Sequence, residues 1–162
     1  MKTYNYLLEL SGMADEQREK SLRNVFDRDI ANNHSFKFRT KPIYPTPKAD
    51  GEIAVETLFA HLITTIIDER HREFDIYRAE RLHWIKFHVE EKKKNDMLLF
   101  SVQEPRGIRT YIYDKSEKYV IILEPRRNST AYYLLTAYQL RGKDAQKDKM
   151  LRKYNRRLEI IY

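Results

Sequence analysis

The C-terminal half of the chain carries runs rich in apolar, β-branched and aromatic residues, the composition typical of β-strands. Short polar segments containing Gly, Pro, Asp or Asn separate four such runs. The runs are residues 97–102, 108–113, 119–124 and 131–138. Because connections this short join neighbouring strands, the pattern predicts a four-stranded antiparallel meander.

Helical spacing appears on both sides of these strands. Residues 77–94 carry an apolar stripe that repeats every three to four positions and end in a run of lysines, which favours a helix C-terminus. Residues 143–158 predict a second helix, which is basic. The sequence therefore predicts an α+β fold in which helices flank a four-stranded antiparallel sheet and a basic helix lies at the C-terminal end.

The N-terminal half has a less regular pattern. Residues 4–33 are polar with one apolar stripe, which predicts a surface helix packed by one face. Residues 55–67 form a second apolar segment. That segment is either a buried helix throughout or a helix that ends as a strand, because residues 63–67 are all β-branched.

Between these two segments the chain carries several prolines. They lie between positions 42 and 47 and argue against a regular helix or a central strand there, and Asp50–Gly51 predicts a turn. This stretch is the best internal boundary. We therefore expect a mainly helical or extended region over residues 1–73 and a second domain over 74–162, unless the two form one compact unit.

Charge adds a candidate partner to this picture. Lys and Arg number 31 against 24 Asp and Glu, which gives a net charge of +7. A basic balance favours polyanions such as RNA through charge attraction and counterion release. The alternative is that the charge serves only solubility.

Cysteine content and apolar runs exclude other classes of protein. The chain has no cysteine, which excludes disulfides, thiolate zinc sites and cysteine nucleophiles and fits a reducing compartment such as the cytoplasm. No apolar run approaches the roughly 20 residues that span a bilayer, so we expect no membrane partner. The chain has only four glycines and no glycine-rich phosphate-binding loop, which excludes a P-loop or Rossmann site as far as motifs can. No cofactor or metal is expected.

Arg109 is the first candidate for phosphate chemistry. It lies between apolar neighbours in the second strand, where burial is costly unless the guanidinium is paired or faces a cleft. Glu124 ends the next strand, so Arg109 either forms a structural ion pair with it or binds phosphate. Strict alternation places Thr136 and Tyr138 on one side of the fourth strand with Tyr132 and Leu134.

The helices supply further candidates. His83 and His88 are five positions apart and do not align on one helix face, which argues against a shared zinc site. The basic side chains of the two predicted helices either form solvated faces or contact RNA phosphates. These are Arg78, Arg81, Lys86, Lys147, Arg152, Lys153 and Arg156.

Three short motifs carry a resemblance to a known family. They are Tyr-Arg-Ala-Glu-Arg-Leu-His-Trp-Ile-Lys at 77–86, Gly-Ile-Arg-Thr at 107–110 and Tyr-Leu-Leu-Thr-Ala-Tyr at 133–138. In this order, and with a basic helix after them, the motifs resemble phage- and plasmid-associated members of the barnase–EndoU–colicin–RelE-like ribonucleases. The resemblance covers residues 74–154, about half of the chain.

This resemblance implies a metal-independent RNA endonuclease, toxin-like or phage-associated, that uses the ribose 2′-hydroxyl as nucleophile. It implies that Arg109 holds the phosphate, that Thr136 and Tyr138 position it, and that His83, His88 or a lysine of the same helix transfers a proton. Arg78 and Arg81 would contact the RNA. An inhibitory protein partner is a further expectation. The alternatives are a nucleic-acid-binding module without catalysis and a protein-interaction module.

Overall fold

The computed structural model describes residues 3–49, 51–128 and 130–162 of the chain. Asp50 lies outside the described residues, so the turn expected at Asp50–Gly51 is not assessed. The helices in these ranges are α1 (Asp15–Phe26, continued by a π-helical turn at Asp27–Ala31), α2 (Ala54–Ile63), α3 (Ile76–Ala79), α4 (Trp84–Val89), α5 (Gly142–Lys147) and α6 (Lys149–Asn155). The strands are β1 (Lys37–Phe38), β2 (Lys41–Pro45), β3 (Thr64–Asp68), β4 (His71–Phe74), β5 (Met97–Glu104), β6 (Gly107–Asp114), β7 (Tyr119–Pro125) and β8 (Tyr132–Gln139).

The main sheet of the described residues is mixed and curled, with six strands in the order β1-β2-β8-β7-β6-β5. Strands β5 to β8 form an antiparallel meander, whereas β2 pairs with β8 in parallel and places Ile43 opposite Tyr132. Strands β3 and β4 form a separate antiparallel pair. The prediction of a four-stranded antiparallel sheet is therefore wrong, because two strands from the N-terminal half extend the meander.

The prolines of β2 explain why sequence reasoning missed this strand. Proline cannot donate a ladder hydrogen bond, which normally excludes it from a central strand. Here β2 pairs with β1 only at Lys41 and Pro42, and with β8 only over residues 43–45. Between the two prolines, the N–H of Ile43 donates to the carbonyl of Phe36 at 3.1 Å. Because both pairings are short, β2 has few ladder bonds that a proline could interrupt.

Each of the two long helices predicted in the C-terminal half is broken. Residues 77–94 contain α3 and α4, with turns at 80–83 between them. Residues 143–158 contain α5 and α6, with a break at Asp148, whose φ of 39° lies in the left-handed region. The carboxylate of Asp148 then caps α6 by accepting from the N–H of Leu151 at 3.1 Å.

The N-terminal half differs less from expectation. The helix expected over 4–33 begins only at Asp15, and residues 3–10 contain no helix. Of the two alternatives for residues 55–67, the structure has the second, because α2 ends at Ile63 and β3 follows directly. Among the described residues, no helix combines the length and the apolar character needed to cross a bilayer.

One apolar core lies between helices α1, α2 and α4 and one face of the main sheet, which we call the core face. This core draws side chains from both the 1–73 and the 74–162 regions. Fully buried members include Leu22, Phe26, Phe38, Leu62, Leu82, Trp84, Ile85, Ile112 and Ile121. The N-terminal half therefore packs against the meander.

The opposite face of the sheet is covered only in part. Helix α6 and the segment before it pack on strands β5 and β6, where Phe100, Tyr111, Tyr113 and Met150 are buried. Towards β7 and β8, side chains of the same face remain partly exposed. We call this part the open face; it comprises Arg109, Ile122, Glu124, Thr136 and Tyr138.

Candidate functional site

A β-bulge in β8 decides which side chains reach the open face. The ladder pairs Leu123 with Leu134 and Ile122 with Thr136, and it leaves Leu135 without a partner across the strand. Leu134 therefore belongs to the core face, whereas Thr136 belongs to the open face. The prediction that Tyr132, Leu134, Thr136 and Tyr138 share one side is wrong, because a period of two does not anticipate an extra residue.

Arg78 reaches this face beside the part of β8 that extends beyond its pairing with β2. Its Nη1 donates to Thr136 Oγ1 at 3.2 Å and to the carbonyl oxygen of His61 at 3.3 Å. Its guanidinium carbon lies 5.3 Å from the centre of the Tyr138 ring. Three residues named by the resemblance, Arg78, Thr136 and Tyr138, are thus brought together.

The local sequence explains how Arg78 is held there. Asp75 caps the short helix α3, since its Oδ1 accepts from the N–H groups of Tyr77 and Arg78 at 3.0 and 3.2 Å. Asp75 Oδ2 lies 3.6 Å from Arg78 Nε, and the Arg78 side chain is 18% exposed. Asp75 therefore holds both the first turn of α3 and the Nε end of the Arg78 side chain.

His61, whose carbonyl oxygen accepts from Arg78, lies in the last turn of α2. Its side chain lines a pocket of about 190 Å³ together with Lys48, Leu134 and Leu135. Burial lowers the pKa of His61 below its ordinary value of 6.5, and the nearby positive charge of Arg72 lowers this pKa further. The imidazole is therefore neutral at pH 7 and able to accept a proton.

Two further cations surround this imidazole. Arg72 on β4 donates from Nε to Thr64 Oγ1 at 2.8 Å, and its charge acts on both His61 and Arg78. Lys48 acts on His61 in the same sense. We call His61, Arg72, Arg78, Thr136 and Tyr138 the Arg78 cluster.

The electrostatics of the Arg78 cluster suit an anion. Burial lowers the pKa of Arg78, yet a guanidinium stays charged at neutral pH. Burial raises the pKa of Tyr138, so its hydroxyl stays protonated and is a hydrogen-bond donor. The site thus combines a cationic fork, two hydroxyl groups and a neutral imidazole.

Sequence reasoning missed His61, Arg72 and Lys48, because all three lie in the region without a recognised motif. A signal was available in the charged turn at 68–73, which directly precedes the motif helix and carries Arg72. His61 gave no comparable signal, since a lone histidine in an apolar helix is usually structural.

Arg109 lies on the open face but outside this cluster. Its Nη1 is 3.1 Å from Glu124 Oε2, and its side chain is 14% exposed. Of the two alternatives given by the sequence, the ion pair is the one present. Strand β6 is two strands away from β8, a separation of roughly 10 Å.

The two candidate histidines of the motif helix are also elsewhere. His88 is 1% exposed; its Nδ1 is 2.8 Å from the carbonyl oxygen of Trp84 and its Nε2 is 3.0 Å from Asp114 Oδ2. His83 packs against the ring of Tyr6 at a centroid distance of 4.2 Å. The structure brings neither histidine to the Arg78 cluster.

The remaining basic candidates fall into two groups. Arg81 is buried and donates to the carbonyl of Tyr77, while Lys86 pairs with Glu90 at 2.8 Å. On the C-terminal helices, Lys153 and Arg156 both pair with Glu104, and Lys147 and Arg152 are exposed. None of these contacts is to a member of the Arg78 cluster.

In residues 3–49, 51–128 and 130–162, no three His, Asp or Glu side chains converge as a metal site would require. No protein-family model matches the chain, and neither the curated proteins nor the solved structures include a significant match.

Proposed function

We propose that this protein is a metal-independent RNA endonuclease whose active site is the Arg78 cluster. The observation that carries the proposal is the set of contacts of Arg78, which donates to Thr136 Oγ1 and to the carbonyl oxygen of His61 and lies against the Tyr138 ring. RNA cleavage without a metal needs a base, a cation for the phosphate and a proton donor. The cluster supplies one group of each kind.

The proposed reaction is attack of the ribose 2′-oxygen on the adjacent phosphorus. His61 accepts the proton of the 2′-hydroxyl as the new O–P bond forms. The Arg78 fork and the Thr136 hydroxyl stabilise the negative charge that develops on the phosphate oxygens. Tyr138 donates its proton to the departing 5′-oxygen, and solvent carries the proton from His61 back to Tyr138. The products are a 2′,3′-cyclic phosphate and a 5′-hydroxyl.

This assignment moves the phosphate-binding role from Arg109 to Arg78. Glu124 already neutralises Arg109, whereas Arg78 has a hydroxyl, an aromatic face and an imidazole around it. Arg109 lies on the same face of the sheet, where it would meet a neighbouring part of the RNA backbone.

The test is incubation of the purified protein with labelled mixed-sequence RNA in EDTA, beside the Arg78→Ala variant. We expect the native protein to leave 2′,3′-cyclic phosphate ends and Arg78→Ala to lose at least ~100-fold in rate, the usual effect of removing a group that stabilises transition-state charge. Arg106→Ala is the charge-matched control, since Arg106 is exposed in the turn between β5 and β6. RNA that stays intact with the native protein contradicts the proposal, and so does equal loss in both variants.

The proposed partners follow from this substrate. The absence of cysteine fits the reducing cytoplasm, where RNA is at hand. A toxin-like nuclease also needs restraint inside its own cell, and an acidic inhibitory protein would suit the basic surroundings of Arg78.

A second candidate is an RNA-binding module without catalysis. The exposed Arg126 and Arg127 favour it, because Arg126 lies 5.6 Å from the Tyr133 ring centre and their shared pocket of about 390 Å³ is lined by no member of the Arg78 cluster. This candidate requires RNA affinity that falls steeply with salt while no product forms.

A further inference from the structure

Beside Arg78, the geometry points to a nucleobase-stacking subsite formed by Tyr77 and Arg141. Tyr77 precedes Arg78 on α3 and is 45% exposed. The guanidinium carbon of Arg141, just after β8, lies 3.8 Å from the centre of the Tyr77 ring. Both side chains reach solvent at the edge of the Arg78 cluster.

Two arginine–tyrosine pairs therefore connect α3 to β8 in opposite directions. In the inner pair the helix supplies Arg78 and the strand supplies Tyr138. In the outer pair the helix supplies Tyr77, and the segment after the strand supplies Arg141. The inner pair is largely buried and holds the helix in place, which leaves the outer pair less necessary for the fold.

The outer pair is weak enough to open. An exposed cation–π contact contributes little free energy. Stacking of a nucleobase on an aromatic side chain contributes more, whichever base it is. A base can therefore replace Arg141 on the Tyr77 ring with a net gain in free energy.

Arg141 keeps a role after this exchange. A guanidinium plane stacks on bases as well as on tyrosine, so Arg141 can cover the second face of a base that lies on Tyr77. Alternatively, the Arg141 guanidinium can bind a neighbouring phosphate. In both positions the base is unstacked from its neighbours, which requires single-stranded RNA.

The subsite would select an unpaired strand next to the bond that is cleaved. This role in cleavage rests on the proposed function. Tyr77 and Arg78 are consecutive on α3, so a strand that places a phosphate on Arg78 would carry a nearby base to Tyr77. Double-stranded RNA cannot offer a base in this way, since its bases remain paired and stacked.

The experiment measures binding and cleavage separately. Binding uses a short 2′-O-methyl RNA of mixed sequence, which has no nucleophile, and a matched oligonucleotide in which every base is an abasic site. Cleavage uses the same sequence as ordinary RNA. The proteins are the native chain, Tyr77→Ala, Tyr77→Phe and the control Tyr44→Ala, which removes a tyrosine of similar exposure on β2 (47%).

We expect Tyr77→Ala to bind the base-bearing oligonucleotide about 10-fold more weakly than the native protein, as loss of one stacked base implies. Its affinity for the abasic oligonucleotide should be unchanged, and Tyr77→Phe and Tyr44→Ala should bind like the native protein. Cleavage by Tyr77→Ala should fall through a higher KM. Phenylalanine keeps the ring and lacks the hydroxyl group. Native-like binding by Tyr77→Phe would therefore show that the ring stacks and that the hydroxyl group is not needed.

The outcomes distinguish this inference from the nuclease proposal. Unchanged binding by Tyr77→Ala overturns the subsite, even when the native protein cleaves RNA. An equal loss of affinity for both oligonucleotides also overturns the subsite, because such a loss would indicate that α3 is displaced. Base-dependent binding through Tyr77 without cleavage by the native protein supports the subsite and overturns the nuclease.

Discussion

Arg78 and His61 meet through a single hydrogen bond, in which the arginine donates to the backbone carbonyl of the histidine at 3.3 Å. This contact uses the backbone of His61 and not its imidazole ring. The same arginine bonds to Thr136, so one side chain connects α2, α3 and β8. The chemistry proposed for the cluster depends on the shape of this guanidinium as well as on its charge.

Replacing Arg78 with lysine tests the importance of that shape. Lys keeps the charge but presents a point charge on a flexible stem and cannot bond to two oxygens as a planar fork does. We expect Arg78→Lys to lose about 10-fold to 100-fold in kcat/KM on RNA, less than Arg78→Ala. Activity of Arg78→Lys equal to the native value would show that charge alone suffices.

The pH dependence of cleavage tests His61. Burial lowers the pKa of its imidazole, so the neutral base persists below the ordinary value of 6.5. We expect kcat/KM to stay level from pH 8 to about 6.5 and to fall only as the pH drops through the lowered pKa. His61→Gln should remove both most of the activity and this acid limb. An acid limb that survives in His61→Gln would assign the base to another group.

At the scale of elements, α3 is a helix of four residues whose position depends on its cap. A helix this short has little stability of its own. Asp75 supplies the missing partners for two N–H groups and also lies near Arg78. Any change to the cap therefore acts on both the helix and the cluster.

Two substitutions of Asp75 separate these effects. Asn caps a helix nearly as well as Asp but carries no charge, so Asp75→Asn should keep the capping contribution and lose only the ion pair with Arg78. Asp75→Ala should lose about 1 kcal/mol or more in free energy of unfolding. Urea denaturation measures both, and equal midpoints for the two variants would contradict the capping role.

The elements also show what a sequence pattern can and cannot predict. The strands β5 to β8 lie where runs of apolar, β-branched and aromatic residues between turn residues indicate them, since these are local signals. Strand β2 and the bulge at Leu135 depend on partners distant in the chain, so no local pattern reveals them. The break between α3 and α4 was hidden because the apolar stripe continues across the turns at 80–83.

The same reasoning applies to the cluster. Arg78, Thr136 and Tyr138 were found through motifs in one half of the chain. His61 and Arg72 come from the other half, where α2 packs against β8 and β4 pairs with β3. Arg109 shared its motif with active-site candidates, yet the ion pair with Glu124 was visible in the sequence as an alternative.

At the scale of the whole molecule, Asp114 joins distant parts of the chain. Its carboxylate accepts from Tyr4 at 3.0 Å and from Lys93 at 2.8 Å, and it lies 3.0 Å from His88 Nε2. Burial alone would raise the pKa of Asp114. Hydrogen bonds from His88, Lys93 and Ser116 outweigh that effect and lower the pKa well below its ordinary 3.8.

This lowered pKa predicts how stability depends on acidity. Because the folded protein binds the proton of Asp114 less readily than the unfolded chain, the stabilisation is complete above about pH 4 and is lost as the pH falls further. Asp114→Asn should cost about 3 kcal/mol or more at pH 7, as breaking a buried ion pair does. It should also flatten the acid dependence of thermal unfolding between pH 4 and 2; a slope equal to the native one would assign that dependence to other carboxyl groups.

The parallel pairing of β2 with β8 has a consequence for the timing of synthesis. A ribosome releases chain at about 5–20 residues per second, and N-terminal segments fold first when their partners are present. Strand β2 cannot pair until β8 has been synthesised, and the pocket lined by His61 also needs Leu134 and Leu135. Most of this chain must therefore be translated before His61, Arg78, Thr136 and Tyr138 can come together.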